Sequence, residues 1–84
     1  MNIKILFFGK IREQINIDHK LLYINNNITL DLSLNNLINI IHSEYPVLKD
    51  TKIMYSINNE YIYDKNIIVN DNDVVGFIPP ISGG

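Results

Sequence analysis

The 84-residue sequence has no cysteine. That absence excludes disulfide stapling, thiol nucleophiles and cysteine-based zinc sites together. Any sulfur chemistry involving this chain must therefore use an atom other than a side-chain thiol. Charge is also sparse. Seven Lys and Arg against nine Asp and Glu leave a formal charge of −2. No basic stripe is present, which argues against nucleic acid as a partner. No apolar run is long enough to cross a membrane, so no membrane partner is expected. The first residues lack the basic segment, apolar run and small-residue cleavage site of a signal peptide, so a cytoplasmic location is expected.

Catalytic constellations are missing as well. The sequence offers no carboxylate pair at helical spacing, no Ser/His/Asp set and no metal-ligand cluster. Gly9-Lys10 lacks the rest of a phosphate loop. Asp71 and Asp73 lack the loop length and closing glutamate of a calcium site, and turn chemistry is the better account of them. His42 has no carboxylate or second histidine at ligand spacing, so it reads as a partly exposed structural histidine rather than a metal ligand. Asn27-Ile28-Thr29 matches a glycosylation sequon, a chance match in a chain without export signals.

What is present suffices for one small domain. The hydrophobic fraction is 46%, enough for a packed core. A chain of this length buries about 60% of its unfolded surface, and its stability should be roughly 4–12 kcal/mol. Residues 2–8 alternate as a strand, with Ile3, Ile5 and Phe7 on one face and Lys4, Leu6 and Phe8 on the other. Residues 10–15 read as a short helix carrying Ile11 and Ile15 at i, i+4. Residues 19–24 form a second strand, 25–27 a turn, and 28–30 a brief extension. The strongest pattern is a helix over 33–45. Ser33 caps it, Leu34, Leu37, Ile38, Ile41 and Tyr45 form one apolar stripe, and Pro46 ends it. Residues 53–57 form a third strand with Ile53, Tyr55 and Ile57 on one face. A tight turn at 58–60 leads into 61–63 to complete a hairpin. Residues 67–69 fit strand or loop equally. A turn at 70–73 then precedes a last strand, 74–78. This order is α+β: one amphipathic helix across a mixed sheet of four or five strands, packing Leu34, Leu37, Ile38 and Ile41 on Ile5, Phe7 and Phe77.

The sheet should end at Pro79 and Pro80, which cannot donate ladder hydrogen bonds. The expected domain is 1–78, and 79–84 a flexible tail. With two prolines favouring polyproline II, the tail reaches roughly 20 Å. It closes on Gly83 and Gly84, the slimmest peptide able to thread a channel and present a carboxylate. A frayed terminus is the plainer alternative for such an end. The stiff Pro-Pro spacer favours presentation.

These segments carry a resemblance. Ile78-Pro79-Pro80-Ile81-Ser82-Gly83-Gly84 resembles the C-terminus of the MoaD-like proteins, the small sulfur-carrying subunits of molybdopterin synthase. Ile3-Lys4-Ile5-Leu6-Phe7-Phe8-Gly9-Lys10-Ile11-Arg12-Glu13 resembles their first strand and helix start. The resemblance runs end to end and is strongest in these two segments. It implies a ubiquitin-like β-grasp fold, with first and last strands parallel and adjacent mid-sheet, an order that strand parity alone does not provide. It also implies a route for the Gly84 carboxylate. An adenylating enzyme related to ubiquitin-activating enzymes uses ATP to make an acyl-adenylate. A persulfide donor supplies sulfur, and Gly84 becomes a thiocarboxylate. The tail then enters the large subunit of molybdopterin synthase, in a heterotetramer, and gives sulfur to cyclic pyranopterin monophosphate. Two loaded carriers per pterin build the dithiolene of molybdopterin. No cofactor is bound permanently, and catalytic side chains belong to the partner.

The partner needs a surface. Parity places Leu6, Phe8 and Ile78 on the face away from the long helix, and Tyr61 is assigned with them. With first and last strands adjacent, as the resemblance implies, these side chains form one apolar patch at the root of the tail. Pro79, Pro80, Ile81 and Ser82 continue it. A second small core under a loop is the alternative for the patch. Arg12 and Glu13 match the family opening and fit an interface role or a local ion pair equally. Three functional alternatives remain: a thiamine-pathway sulfur carrier, a ubiquitin-like protein modifier, and a β-grasp binding module with an accidental Gly-Gly. Thiamine-pathway carriers are usually shorter and lack Leu-Phe-Phe and Pro-Pro together.

Overall fold

The computed structural model describes residues 1–25 and 31–80. The brief extension expected at 28–30 and the tail residues Ile81, Ser82, Gly83 and Gly84 lie outside the described residues. In chain order the elements are strand β1 (Asn2–Phe7), helix α1 (Gly9–Ile15), strand β2 (His19–Tyr23), helix α2 (Leu34–Glu44), a 3₁₀ turn (Pro46–Asp50), and strands β3 (Met54–Ile57), β4 (Glu60–Ile62) and β5 (Val74–Ile78).

The strands form one sheet in the order β2-β1-β5-β3-β4. β1 and β5 run parallel at its centre, with Lys4 opposite Val74 and Phe7 opposite Phe77. The other pairs are antiparallel. First and last strands are thus neighbours, as the resemblance implied, and the fold is the ubiquitin-like β-grasp.

Alternation along β1 and β5 sends Ile3, Ile5, Phe7, Val75 and Phe77 to one face, where all are buried. Helix α2 covers that face with Leu34, Leu37, Ile38 and Ile41. Its N-terminus is closed by Ser33, whose Oγ accepts the Asn36 N–H at 3.1 Å. Phe77 anchors the layer, with edge-to-face contacts to Phe7 at 5.5 Å and Tyr55 at 5.0 Å between ring centroids. Tyr45 ends the helix rather than belonging to it. It still packs against the core, and its ring meets Phe7 at 6.0 Å. The 3₁₀ turn after Pro46 was not expected. It carries Leu48 into the core with no exposure, closing the end of the helical layer.

Two polar turns set how the sheet meets its loops. Asn58 and Asn59, both at positive φ (52° and 71°), make the two-residue hairpin turn between β3 and β4, a conformation asparagine tolerates well. The strand after it starts at Glu60, one residue earlier than expected. The Asn58 amide donates to Asp73 Oδ1 at 2.9 Å, and its oxygen accepts the Val74 N–H at 2.9 Å. In the turn before β5, Asp71 Oδ1 accepts the Asn2 N–H at 2.6 Å and Asp73 Oδ2 the Asn70 N–H at 2.8 Å. Both carboxylates therefore do turn chemistry. Residues 67–69 contribute a single bridge, Ser33 to Ile68, and bury Val69. No helix of the described residues is long and apolar enough to cross a membrane.

Candidate functional site

The open face of the sheet carries the side chains that alternation turns away from α2. The register fixes who stands beside whom. Leu6 pairs with Gly76, Gly76 with Ser56, and Ser56 with Tyr61. These four positions form one row across four strands, roughly 15 Å long at the usual strand spacing. The next row toward the tail holds Ile78 opposite Met54. Phe8 lies one residue beyond β1, and its N–H donates to the Phe77 carbonyl at 3.1 Å, so the β1–β5 ladder continues past the strand.

The two side chains at the tail root converge over Gly76. Phe8 Cε2 and Ile78 Cδ1 each lie 3.4 Å from the position a Gly76 Cβ would take. Leu6, Phe8, Ile78 and Tyr61 thus share this face, Leu6 and Ile78 half-buried and Phe8 and Tyr61 exposed. Phe8 keeps 41% and Tyr61 48% of their surface exposed, so the patch is an outer surface and not a second core. The sequence pattern missed Met54, Ser56 and Gly76. Met54 and Ser56 were implied by placing Ile53, Tyr55 and Ile57 on the helix side. Gly76 was signalled by a lone glycine inside an apolar strand, which marks a close approach.

The tail begins beside this patch. Pro79 is half-buried, and its Cγ lies 3.1 Å from where a Cβ on Gly9 would stand. Gly9 has φ +51°, a conformation that suits glycine. The turn between β1 and α1 therefore seats the first proline of the tail. Pro80 is exposed.

Charge lies at the rim. Arg12, Asp18 and His19 line a shallow hollow next to Leu6 and Phe8. His19 Nδ1 contacts Asp18 Oδ1 at 2.7 Å. That hydrogen bond holds the Asp18 carboxyl below its usual range, with minor help from the His19 and Arg12 charges. Among the described residues Arg12 and Glu13 make no ion pair. The described residues hold no group of three or more His, Cys, Asp or Glu able to take a metal ion. Among the described residues, His19 with Asp18 is the one carboxylate–imidazole contact at this rim. What the arrangement offers is an apolar patch with Pro79 and Pro80 at its edge.

The likenesses to known proteins follow the same outline. The molybdopterin synthase sulfur carrier subunit of Dictyostelium discoideum is 38% identical over 89 residues, covering 96% of this chain and 94% of that protein. The fold matches the complex of subunits 1 and 2 of molybdopterin-converting factor from Helicobacter pylori, with a TM-score of 0.71, 24% identity and full coverage of both chains. It also matches small archaeal modifier protein 1 from Methanosarcina acetivorans, with a TM-score of 0.76, 20% identity, and 99% and 96% of the two chains covered. The ThiS family profile spans residues 5–84, and with it this chain belongs to the ThiS family as a homologue of the molybdopterin synthase sulfur carrier subunit.

Proposed function

We propose that this chain is the sulfur carrier of molybdopterin synthase and that its chemistry resides on the carboxylate of Gly84. The observation that carries the proposal is the end-to-end likeness to the sulfur carrier subunit of Dictyostelium discoideum, 38% identical over nearly the whole of both chains. The carboxylate is inert until activated. An adenylating partner joins it to AMP from ATP with release of pyrophosphate. The outer sulfur of a persulfide donor then displaces AMP to give an acyl disulfide. A second thiol cleaves the S–S bond, which leaves Gly84 as a thiocarboxylate and the two donor thiols joined as a disulfide. The loaded tail enters a large subunit docked on Leu6, Phe8, Tyr61 and Ile78, and passes its sulfur to cyclic pyranopterin monophosphate. The absence of cysteine accords with a sulfur held at the chain end. The setting is cytoplasmic, where ATP is available.

The test is made on the tail. Deleting Gly84 moves the carboxylate back by ~3.3 Å, and adding one alanine moves it forward by as much. Both shifts exceed the ~0.5 Å tolerance of a preorganised site. Both variants should keep the wild-type melting temperature and lose thiocarboxylate formation. Intact-mass spectrometry would read this as failure to exchange one terminal oxygen for sulfur with ATP, activating enzyme and sulfur donor present. Thiolation of the alanine-extended protein without trimming would overturn the proposal. The modifier alternative shares the fold, and the same mass measurement separates it, since it predicts Gly84 joined to a lysine of another protein.

A further inference from the structure

The open face carries an apolar patch with charged groups at its rim and one buried polar side chain within it. Ser56 is the one buried polar side chain among the described residues, with 9% of its surface exposed. Its neighbours Tyr55 and Ile57 turn toward the helix layer, so Ser56 faces outward with Gly76 and Tyr61 on either side. Its Oγ stands in the volume that a side chain on Gly76 would need, close enough that a Cβ there would collide with it. No described residue hydrogen-bonds to this hydroxyl. Around it lie Leu6, Phe8, Ile78, Met54 and Tyr61.

A hydroxyl in this position is neutral in the free protein, where the remaining opening reaches solvent. It stops being neutral when a partner covers the face. A partner presenting only carbon would leave the hydroxyl dry and unpaired, an arrangement that costs free energy. A partner presenting a hydrogen-bonding atom would gain a bond shielded from water by the apolar ring. We propose that the Ser56 hydroxyl is the specificity point of the docking face, and that it selects a protein partner whose apolar contact surface carries one hydrogen-bonding group at its centre. Gly76 is the positioning residue: lacking a side chain, it leaves the hydroxyl the space that a Cβ would take. The proposal rests on the docking of a large subunit at this face.

The experiment is titration calorimetry with the purified large subunit of molybdopterin synthase, alongside thermal melting of each variant alone. Ser56→Ala should melt at or above the wild-type temperature, because no internal bond is lost, and weaken binding about tenfold by leaving the partner's group unpaired. Gly76→Ala/Ser56→Ala should bind no more weakly than Ser56→Ala, since both lack the hydroxyl. Phe8→Asp should abolish binding while remaining folded. If Ser56→Ala binds within twofold of wild type while Phe8→Asp does not bind, the hydroxyl has no selective role and the proposal fails. If Ser56→Ala lowers melting temperature and affinity together, Ser56 acts by packing and the proposal also fails. If Phe8→Asp binds like wild type, the docking surface is elsewhere and this proposal fails while the sulfur-carrier reading stands. If wild type itself does not bind, the synthase partnership fails with it.

Discussion

One ring nitrogen in the last turn of α2, His42 Nε2, is buried without a hydrogen-bond partner among the described residues. Burial, aided by the nearby charges of Lys49 and Lys65, pushes its pKa below the ordinary 6.5. The fold therefore favours the neutral ring. The unfolded chain takes up a proton near pH 6.5, and the folded chain only at lower pH. Between those two values the unfolded state binds more protons, so stability falls as pH falls. The His42 contribution should be complete above pH 6.5 and lost as pH drops through the folded pKa. Urea unfolding at several pH values between 8 and 5 should show this slope, and His42→Leu should flatten it. Gly76 gives a second expectation at this scale. Gly76→Ala should destabilise the protein by about 1–3 kcal/mol through overpacking against Ser56, and adding Ser56→Ala should restore most of the loss in the same unfolding assay.

Helix α2 is the element that makes the sheet a domain. Its four buried residues meet both central strands, and Ile38 keeps only 6% of its surface exposed. Ile38→Ala should cost ~2–5 kcal/mol, a large part of the roughly 4–12 kcal/mol available to so small a chain. Chemical denaturation would measure it, and a loss under about 0.5 kcal/mol would place Ile38 outside the core. This helix was legible in the sequence because its stripe repeats over three turns between a serine cap and a proline stop. The strands were legible as faces, since alternation sorts Ile5 and Phe7 from Leu6 and Phe8. Register was not legible. Parity says that Ser56 and Gly76 point outward, but only strand pairing puts one beside the other. The 3₁₀ turn was missed because Pro46 announces where the helix stops and says nothing of what Leu48 does next. Pro79 was read as the start of a free tail. Its seat against Gly9 depends on contact between residues far apart in the chain.

At the scale of the whole molecule, division of labour follows from topology. The helix side holds the aromatic and aliphatic core, and the open side leaves Phe8 and Tyr61 exposed. Phe8→Asp should accordingly leave the circular dichroism spectrum and melting temperature close to wild type, because Phe8 contributes nothing to the helix-side core. It should abolish capture of the large subunit, because a charge would be buried without a partner at the interface. Unfolding of this variant would instead make the open face a structural requirement of the fold.

The parallel pairing of β1 with β5 also has a mechanical consequence. The N-terminus enters β1 at one end of the sheet, and the tail leaves β5 at the other. A pull on the tail against the N-terminus runs along both strands, in opposite directions, and loads the whole ladder in shear. The bonds must then yield together, whereas a pull that peels the β3–β4 hairpin breaks them one at a time. A load applied between the two ends of the described body, at residue 1 and at Pro80, is therefore borne by the whole β1–β5 ladder at once. In single-molecule stretching, attachment through residue 1 and the C-terminus should rupture at a distinctly higher force than attachment across the β3–β4 hairpin.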